Sequence, residues 1–393
     1  MKKHVPLLLL FFLSLANGCG TPPANTEKEA IEEIKKLRGK VALDKLGNVK
    51  TVDFRNSRVT DADLGHLKVF ASLKNLNLSH TQVSDSGLAN LKYLTGLQKL
   101  YLDNSRITDA GLVNLKGMTG LLTLSLSDTK VTDAGLVHLK GLTSLQSLGL
   151  EYLRITDVGL VILNGMTSLE TLSLRGTEMT DDGLSKLRGL AHLESLNIGN
   201  LPITDAGLGH LKSVTSLESL NLEDTQVTDA GLEHLKVLTK LKSLYLDRTK
   251  VTDAGLVHLK GLTKLTTLSL IRTRVFGKGL RHLKGLTNLA LSKSKVTDAN
   301  LMYLEGLTKL GKLDISETKV TDAGIIHLKK LSNLFVLDLS YTKVTDDGLD
   351  QLKSLIKLGN LILTGTEVTE AGIHSMKAAL PNCWFTMLST QHY

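Results

Sequence analysis

Histidine recurs at one position of a repeated segment, which raises the possibility of a metal site. The seven copies are His66, His138, His210, His234, His258, His282 and His327. Zinc ligands lie about 2.0–2.1 Å from the metal and must therefore be within ~4 Å of one another, whereas neighbouring helices lie about 8–10 Å apart. We therefore predict solvated histidines on a helix surface, which gain positive charge only below about pH 6.5, and no metal site.

Acidic residues recur in the same segments, each next to a threonine at a predicted helix start. Calcium binding would use such carboxylates, but helix capping accounts for the pattern. The sequence contains no Gly-rich phosphate loop, no His-Glu-x-x-His and no Gly-x-Ser-x-Gly motif. Cys383 is predicted to be a buried residue of a C-terminal cap rather than a nucleophile, with Trp384 and Phe385 covering the end of the core. We predict a non-enzymatic protein without cofactors.

The elements that position these residues follow a 24-residue period. Its acidic markers are Asp61, Asp85, Asp109, Asp133, Asp157, Asp181, Asp205, Asp229, Asp253, Asp298, Asp322, Asp346 and Glu370. Gly277 stands where the tenth marker is expected, and the series resumes 21 residues later at Asp298. The pattern indicates about fourteen repeat units over residues 49–379.

Each unit reads as a strand, a turn and a short helix. Leu124-Ser125-Leu126 alternates apolar and polar residues, as a strand with one buried face does. Thr132 is the predicted N-cap of a helix and Asp133 lies in its first turn. Leu136, Leu139 and Leu142 follow at three-residue spacing, which suits α or 3₁₀ turns. The threonine at the ninth position of most units is expected to bond the backbone of adjacent units.

A single unit cannot bury its own leucines, so the units must stack with their strands in parallel. Helices need more lateral room than strands, so the stack must curve with the strands inside. The predicted fold is α/β, a curved solenoid with a parallel sheet on its concave face and short helices on its convex face. Residues 27–48 are predicted to form a helix and hairpin that cap the first unit, and residues 380–393 a C-terminal cap and tail.

The repeated pattern Leu-x-x-Leu-x-Leu-x-x-Thr resembles the leucine-rich repeat. Val-Thr-Asp-Ala-Gly-Leu, as at Val131–Leu136, is similar to segments of the cysteine-containing subfamily and of secreted bacterial repeat proteins. This resemblance implies the solenoid fold and a binding function, usually toward proteins, without identifying the ligand. No F-box-like segment precedes the repeats.

The N-terminus is typical of an export signal. Lys2 and Lys3 precede an apolar run from Val5 to Ala16, which is shorter than the ~20 residues that a spanning helix needs. Residues 1–18 are therefore predicted to be a signal peptide, with residues 19–26 as a tether. The residues before Cys19 resemble a bacterial lipobox, although Asn17 is unusual there. Lipidation of Cys19 at the cell envelope is therefore predicted, with ordinary cleavage into the periplasm or medium and an uncleaved anchor as the alternatives.

Composition narrows the function classes. The 393-residue chain has 42% hydrophobic residues, 4% aromatic residues, two cysteines and a net charge of +8, which indicates a folded chain without a disulfide framework. Lysine or arginine ends most predicted helices, where it complements the helix dipole or faces an anionic envelope surface. The scarcity of aromatic residues and the export signal argue against nucleic-acid binding.

The concave wall is where a partner would be recognised. Most side chains at the fifth position are small and polar, and acidic residues precede basic ones along the chain. The predicted binding residues are Tyr101, Asp103, Glu151, Tyr152, Asn197, Asn221, Glu223, Asp224, Tyr245, Asp247, Arg248, Arg272, Arg274, Lys293 and Lys295. Such charge order would bias partner choice and association rate more than affinity, although drift on a solvated surface would also produce it.

The unit from Leu265 to Leu286 departs from the repeat. Phe276-Gly277-Lys278 replaces Thr-Asp-Ala, and the next strand begins three residues early. A missing cap and a short connection are expected to bend or loosen the stack, either as a notch for a ligand or as repeat decay.

The sequence thus predicts a non-catalytic extracytoplasmic binding protein that recognises a protein partner, and two alternatives remain. One is a binder of envelope carbohydrate, and the other is a structural envelope lipoprotein without a discrete ligand.

Overall fold

A computed structural model of the chain describes residues 26–387, and within that range it contains one continuous sheet. Its strands are β1 Lys40–Leu43, β2 Val49–Asp53, β3 Asn75–Asn77, β4 Lys99–Tyr101, β5 Thr123–Ser125, β6 Ser147–Gly149, β7 Thr171–Ser173, β8 Ser195–Asn197, β9 Ser219–Asn221, β10 Ser243–Tyr245, β11 Thr267–Ser269, β12 Asn288–Ala290, β13 Lys312–Asp314, β14 Val336–Asp338, β15 Asn360–Ile362 and β16 Trp384–Thr386. The strands are neighbours in sequence order. Only β1 and β2 pair antiparallel; the others are parallel.

The helices occupy the other side of each unit. The α-helices are α1 Glu27–Lys36, α2 Asp85–Leu91, α3 Asp109–Leu112, α4 Asp133–Leu136, α5 Asp181–Leu184, α6 Asp205–Leu208, α7 Asp229–Leu235, α8 Asp253–Leu256, α9 Asp298–Leu301, α10 Asp322–Ile325, α11 Asp346–Leu352 and α12 Glu370–Ala379. The 3₁₀ helices are Asp63–Val69, Val113–Leu115, Val137–Leu139, Gly159–Gly165, Ser185–Gly189, Gly209–Ser213, Val257–Gly261, Lys278–His282, Met302–Leu304 and Ile326–Lys330. This arrangement confirms the predicted curved α/β solenoid.

The unit beginning at Leu121 shows how the sequence forms the repeat. Leu124 of β5 is buried, whereas Thr123 and Ser125 are half-exposed on the concave side. Thr132 caps α4 with its hydroxyl, which accepts a hydrogen bond from the Ala134 N–H, and the chain then tightens into a 3₁₀ turn. Positions in every unit are numbered below from this leucine, so that Thr123 is position 3 and Asp133 is position 13.

The position-13 aspartate also fastens its unit to the next one, a role beyond the capping that the sequence predicts. In Asp109, Oδ1 accepts the backbone N–H of Thr132 at 2.7 Å and Oδ2 accepts its hydroxyl at 2.7 Å. The same two bonds are made by Asp61, Asp85, Asp109, Asp133, Asp157, Asp181, Asp205, Asp229, Asp298, Asp322 and Asp346. We call this series the aspartate ladder.

The ladder explains the glycine two residues after each aspartate. A Cβ on Gly111 would lie 2.3 Å from Oδ1 of Asp85 in the preceding unit, and one on Gly135 would lie 2.4 Å from Oδ1 of Asp109. The carboxylate therefore occupies the space that any larger side chain would need. Thr-Asp-x-Gly is a motif of unit-to-unit contact as well as of helix capping.

The ninth-position threonines bond within their own unit, so the prediction that they reach adjacent units is wrong. The hydroxyl of Thr129 donates to the carbonyl of Leu126 at 2.7 Å, and Thr177 donates to Leu174 at 2.8 Å. The cause is the left-handed residue at position 8, such as Asp128 with φ 55°, which turns position 9 back toward its own strand. Leu153 fills the same place as a buried apolar residue.

Two units lack an aspartate before them, and each closes its own turn. In the first unit, Asp63 Oδ2 accepts the Thr60 N–H at 2.8 Å and the Thr60 hydroxyl at 2.7 Å. In the unit after Gly277, Asn300 Oδ1 accepts the same two groups of Thr297, at 3.0 and 2.8 Å. Asp63 and Asn300 both stand at position 15, where ladder units have glycine.

The short unit does not loosen the sheet, contrary to the sequence prediction. Its 3₁₀ helix has no side-chain cap, as predicted, but the Asp253 carboxylate accepts the N–H groups of Phe276, Gly277 and Gly279 at 2.8–2.9 Å. Strand β12 pairs in register with β11 and β13. The backbone N–H groups of the altered segment therefore keep an acceptor, and the stack of units continues without a break in the sheet.

The two ends of the described chain close the core differently. Helix α1 begins after a capping box formed by Thr26 and Glu29, and it buries Ala30 and Ile34. At the other end Cys383 is buried and Phe385 packs on the core. Trp384 is 73% exposed, so the prediction that it covers the core is wrong; in β16 it points to the side opposite Phe385.

The export and lipidation predictions, residues 1–18, Cys19 and most of the tether, lie outside the described residues, as does the tail from residue 388. Within residues 26–387, none of the helices combines the length and apolar character that crossing a bilayer requires.

Candidate functional site

The concave face carries two columns of side chains, at positions 3 and 5 of the successive strands. Strand pairing sets their order: Asn197, Asn221 and Tyr245 are direct neighbours on β8, β9 and β10. Tyr101 lies on β4, six strands before Tyr245, which corresponds to roughly 29 Å at about 4.8 Å per strand. The structure therefore brings three of the predicted residues together and leaves Tyr101 in a separate region.

The acidic residues of the first region belong to a network of serines. Asp103 accepts hydrogen bonds from the Ser79 hydroxyl at 3.0 Å, from the Ser127 N–H at 3.1 Å and from the Ser125 hydroxyl. The Ser127 hydroxyl donates to Glu151. Both carboxylates are half-buried and held in fixed orientations, so this region is acidic but internally satisfied.

An arginine that the sequence analysis missed joins two of the predicted residues. Arg175 at position 7 donates from Nε to the Tyr152 hydroxyl at 3.0 Å and from Nη1 to Glu223 Oε2 at 2.7 Å. Its guanidinium crosses Gly199, where a Cβ would lie 2.8 Å from Nη1. The sequence signal was a basic residue at position 7 between acidic ones, followed one unit later by glycine.

In the middle of the chain, the acidic residues Asp247 and Asp224 have different surroundings from Asp103 and Glu151. Burial raises the pKa of Asp247 above its ordinary value of 3.8, although the Ser269 hydroxyl and the Ile271 N–H donate to it at 2.5 and 2.7 Å. Asp224 lies 3.7 Å from Arg248. Asp224 and Arg248 are both left-handed position-8 residues, so their side chains project along the same rim of the solenoid.

The predicted basic stretch is partly neutralised. Lys293 forms a salt bridge with Glu317 at 2.9 Å, and Arg248 faces Asp224. Arg272, Arg274 and Lys295 are exposed, and none of these three forms a salt bridge with a carboxylate of the described chain. The basic character of the stretch therefore depends on Arg272, Arg274 and Lys295.

A cavity of about 310 Å³ lies on the concave face between β10 and β15. Position 5, which the sequence analysis considered, supplies Ala290, Asp314, Asp338 and Ile362, but Tyr245 alone among the lining residues was predicted to bind, and position 3 was not considered. The cavity surface includes Ala290, Val336 and Ile362, and its charged residues are Asp314, Asp338 and Lys312. Since strand residues two apart point to the same face, position 3 contributes Val336 directly. The expectation of a mostly polar wall is therefore wrong for this C-terminal part.

Two carboxylates stand side by side in this cavity. Asp314 and Asp338 are register partners on β13 and β14. Ser316 donates its N–H and its hydroxyl to Asp314 Oδ1 at 2.9 and 2.6 Å, and the Ser340 N–H donates to Asp338 Oδ1 at 2.8 Å. Burial raises the pKa of Asp314, and the neighbouring Asp338 carboxylate adds to the effect. The pair is acidic, partly desolvated and without a cation in direct contact among the described residues.

The remaining candidate residues are the histidines and Cys383, and their contacts are those of structural residues. His66 is buried, 1% exposed, so the prediction that all seven histidines are solvated is wrong for the first unit, where helix α1 packs against the 3₁₀ helix that carries His66. His327 contacts Glu305 at 2.7 Å. Burial raises the pKa of the Cys383 thiol to about 11, which keeps it protonated at neutral pH and makes it a poor nucleophile.

Known proteins match the chain through its repeats. Two models of the leucine-rich repeat match it, one over residues 95–155 and the other over residues 71–92, 165–187, 215–236 and 330–352. An internalin from Listeria monocytogenes superposes with a TM-score of 0.63 at 24% identity, over 92% of this chain and 95% of that one. A leucine-rich-repeat protein from Leptospira interrogans gives 0.59 at 17% identity, over 93% and 100%. No curated protein sequence matches significantly.

Proposed function

Because this chain is a protein of the leucine-rich-repeat family, we propose that it is a non-catalytic binding protein that recognises a protein ligand on its concave face. The proposal includes export through residues 1–18 and anchoring through Cys19, with residues 27–48 and 380–393 as the caps of the solenoid. The observation that carries it is the cavity between β10 and β15.

The chemistry of the cavity selects one kind of ligand side chain. Val336 and Ile362 offer an apolar surface, and Asp314 and Asp338 place two adjacent carboxylates at its side. A cation near Asp314 would favour its charged form and offset the burial that raises its pKa. The ligand we propose is therefore a protein segment with a lysine or arginine beside an apolar side chain.

The charged stretches elsewhere on the solenoid would steer the partner. The acidic residues Asp103 and Glu151 precede the basic residues Arg272, Arg274 and Lys295 along the stack. A partner with the opposite order of charges would associate faster at low ionic strength, since such fields act on association rate and orientation. These residues are proposed to orient the ligand, while the cavity binds it.

Panning a displayed library of random twelve-residue peptides on the full-length protein tests the proposal. We expect enrichment of peptides that combine a basic and an apolar residue, with binding at least tenfold weaker in the double variant Asp314→Asn/Asp338→Asn. The matched control is Asp53→Asn, which makes the same change at position 5 of β2, far from the cavity, and should bind normally.

Thermal unfolding separates loss of binding from loss of structure. Burial raises the pKa of Asp314, so folding favours its neutral form, and the asparagine variant should be at least as stable as the parent at pH 7. Enriched peptides that bind the double variant as tightly as the parent would place the ligand elsewhere. Selective binding to an envelope glycan array, retained at high salt, would instead support the carbohydrate alternative.

A further inference from the structure

The short unit leaves a cavity on a different side of the solenoid from the concave face. In the preceding unit the helical segment, α8 and the 3₁₀ helix after it, runs from Asp253 to Gly261, whereas in the short unit it runs only from Lys278 to His282. Residues 262–266 and residues 283–287 then lead to β11 and β12, so the two connections are equally long and the short unit lacks residues of its helix. A cavity of about 360 Å³ lies at the C-terminal end of these helices, and we call it the notch. It shares no lining residue with the concave cavity.

The units around the deletion keep their backbone hydrogen bonds and their strand register. Asp253 accepts three backbone N–H groups of the short unit, Asn300 closes the next turn, and the strand register is unbroken. Gly285 lets the chain pass close to the preceding unit, because a Cβ there would lie 3.1 Å from the Leu265 carbonyl oxygen. The backbone next to the notch therefore keeps its hydrogen bonds.

The walls of the notch are basic. Lys260, Lys284, Lys309 and His282 line it together with the exposed hydroxyl residues Thr263 and Thr308, and none of its lining residues is acidic. None of the three lysines forms a salt bridge with a carboxylate between residues 26 and 387. Arg281 adds a further positive charge beside His282, to which its Nε donates a hydrogen bond at 3.1 Å (to Nε2).

The carboxylate next to the notch is already neutralised. Glu305 precedes Gly306 of the lining and accepts from Lys330 at 2.6 Å and contacts His327 at 2.7 Å. These contacts lower the pKa of Glu305, with the Lys330 hydrogen bond as the largest cause. The three lysines form no salt bridge with this carboxylate, which contacts Lys330 and His327 instead.

We propose that the notch binds a phosphate ester. Several ammonium groups that converge without carboxylates are suited to an anion with many acceptor oxygens. The hydroxyls of Thr263 and Thr308 can donate to the same kind of oxygen. This site is independent of the concave face and of the protein ligand proposed for it.

Titration calorimetry with sn-glycerol 3-phosphate on the full-length protein tests the site. We expect saturable binding with one ligand per chain, weakened at least tenfold in Lys284→Glu/Lys309→Glu. The matched control is Lys140→Glu/Lys240→Glu, which makes the same charge change at the same two repeat positions outside the notch. Equal weakening in both double variants would mean general attraction to a basic chain and would overturn the proposal.

A second pair of variants introduces one carboxylate without removing a lysine. Gly306→Glu places it at the notch and Gly141→Glu places it at the same position of a distant unit; a Cβ at either glycine meets no atom within 4 Å. Both variants should keep the parent's unfolding midpoint, and only Gly306→Glu should lose binding. Retention of binding in Gly306→Glu would contradict the assignment.

The source of the phosphate ester is identified by two further probes. Inorganic phosphate that competes with sn-glycerol 3-phosphate at similar concentration would make the phosphoryl group itself the ligand. Phosphatidylglycerol vesicles that bind the parent and the control, but not Lys284→Glu/Lys309→Glu, would make it a lipid headgroup. Absence of binding for all three probes at millimolar concentration would refute the site.

Discussion

The ladder units and the two self-closed units satisfy the same backbone N–H by opposite means. In a ladder unit the acceptor comes from the preceding unit, as Asp85 does for Thr108, and glycine at position 15 leaves room for it. After Gly277 no such carboxylate exists, and Asn300 supplies the acceptor from position 15 itself. The identity of one residue thus depends on its neighbour in space, one unit away, rather than on its own helix.

The first unit makes the same point independently. It has no preceding aspartate, and Asp63 bonds both groups of Thr60 from position 15. Where no preceding aspartate is available, two units with different local sequences therefore use a position-15 side chain as the acceptor. The comparison implies that position 13 of one unit and position 15 of the next are energetically coupled. Introducing a position-15 asparagine into a ladder unit tests this coupling.

The largest effect should come from Gly111→Asn in a ladder unit. A Cβ at this position lies 2.3 Å from Oδ1 and 3.0 Å from Cγ of Asp85, so the asparagine must displace the carboxylate from Thr108. We expect a loss of about 3 kcal/mol in the free energy of unfolding, measured by urea denaturation. Gly117→Asn is the control, because a Cβ there meets no atom within 4 Å, and its effect should stay below about 0.5 kcal/mol.

An intermediate effect is expected from coupling. Asp85→Ala alone should cost about 2 kcal/mol, since it leaves the Thr108 N–H without its charged acceptor. In Asp85→Ala/Gly111→Asn the asparagine can take over both bonds, as Asn300 does. We therefore expect the double variant to be at least about 2 kcal/mol more stable than the sum of the single changes. Simple additivity in the urea double-mutant cycle would show that the two solutions are unrelated.

The smallest predicted effect is on the stability of the fold at acidic pH. The Thr369 hydroxyl and N–H lower the pKa of Asp346 below its ordinary value of 3.8. Because the folded state binds the proton more weakly than the unfolded state does, this carboxylate stabilises the fold above about pH 3.8, and the contribution disappears as pH falls through the lower folded value. An amide acceptor such as Asn300 does not titrate.

Asp346→Asn should therefore flatten the acid limb of the stability curve, by less than ~1 kcal/mol because the carboxylate is screened by solvent. Urea midpoints between about pH 2.5 and 5 provide the measurement. The exposed neighbour Asp347→Asn is the control. A variant curve that falls as steeply as the parent's below pH 3.8 would remove this difference between ladder and amide junctions.

The candidate site could be predicted only in part. Position 5 identified Tyr245 and the neighbouring Asn221, because a two-residue period assigns alternate side chains to one face. Val336 escaped notice although position 3 faces the same way, and Arg175 escaped because its partners Tyr152 and Glu223 lie one and two units away.

The sequence by itself determined the period, the parallel stack, the helix starts and the direction of curvature, because these follow from local spacing and from the need of each unit to bury its leucines. The tertiary structure decided which carboxylate reaches which threonine, where the ninth-position hydroxyl turns, and that the three-residue deletion shortens the helix rather than the connection after it. Hydrogen bonds between units and the space left by a deletion depend on atoms that are distant in the chain, and a repeating sequence does not distinguish a partner in its own unit from one in the next.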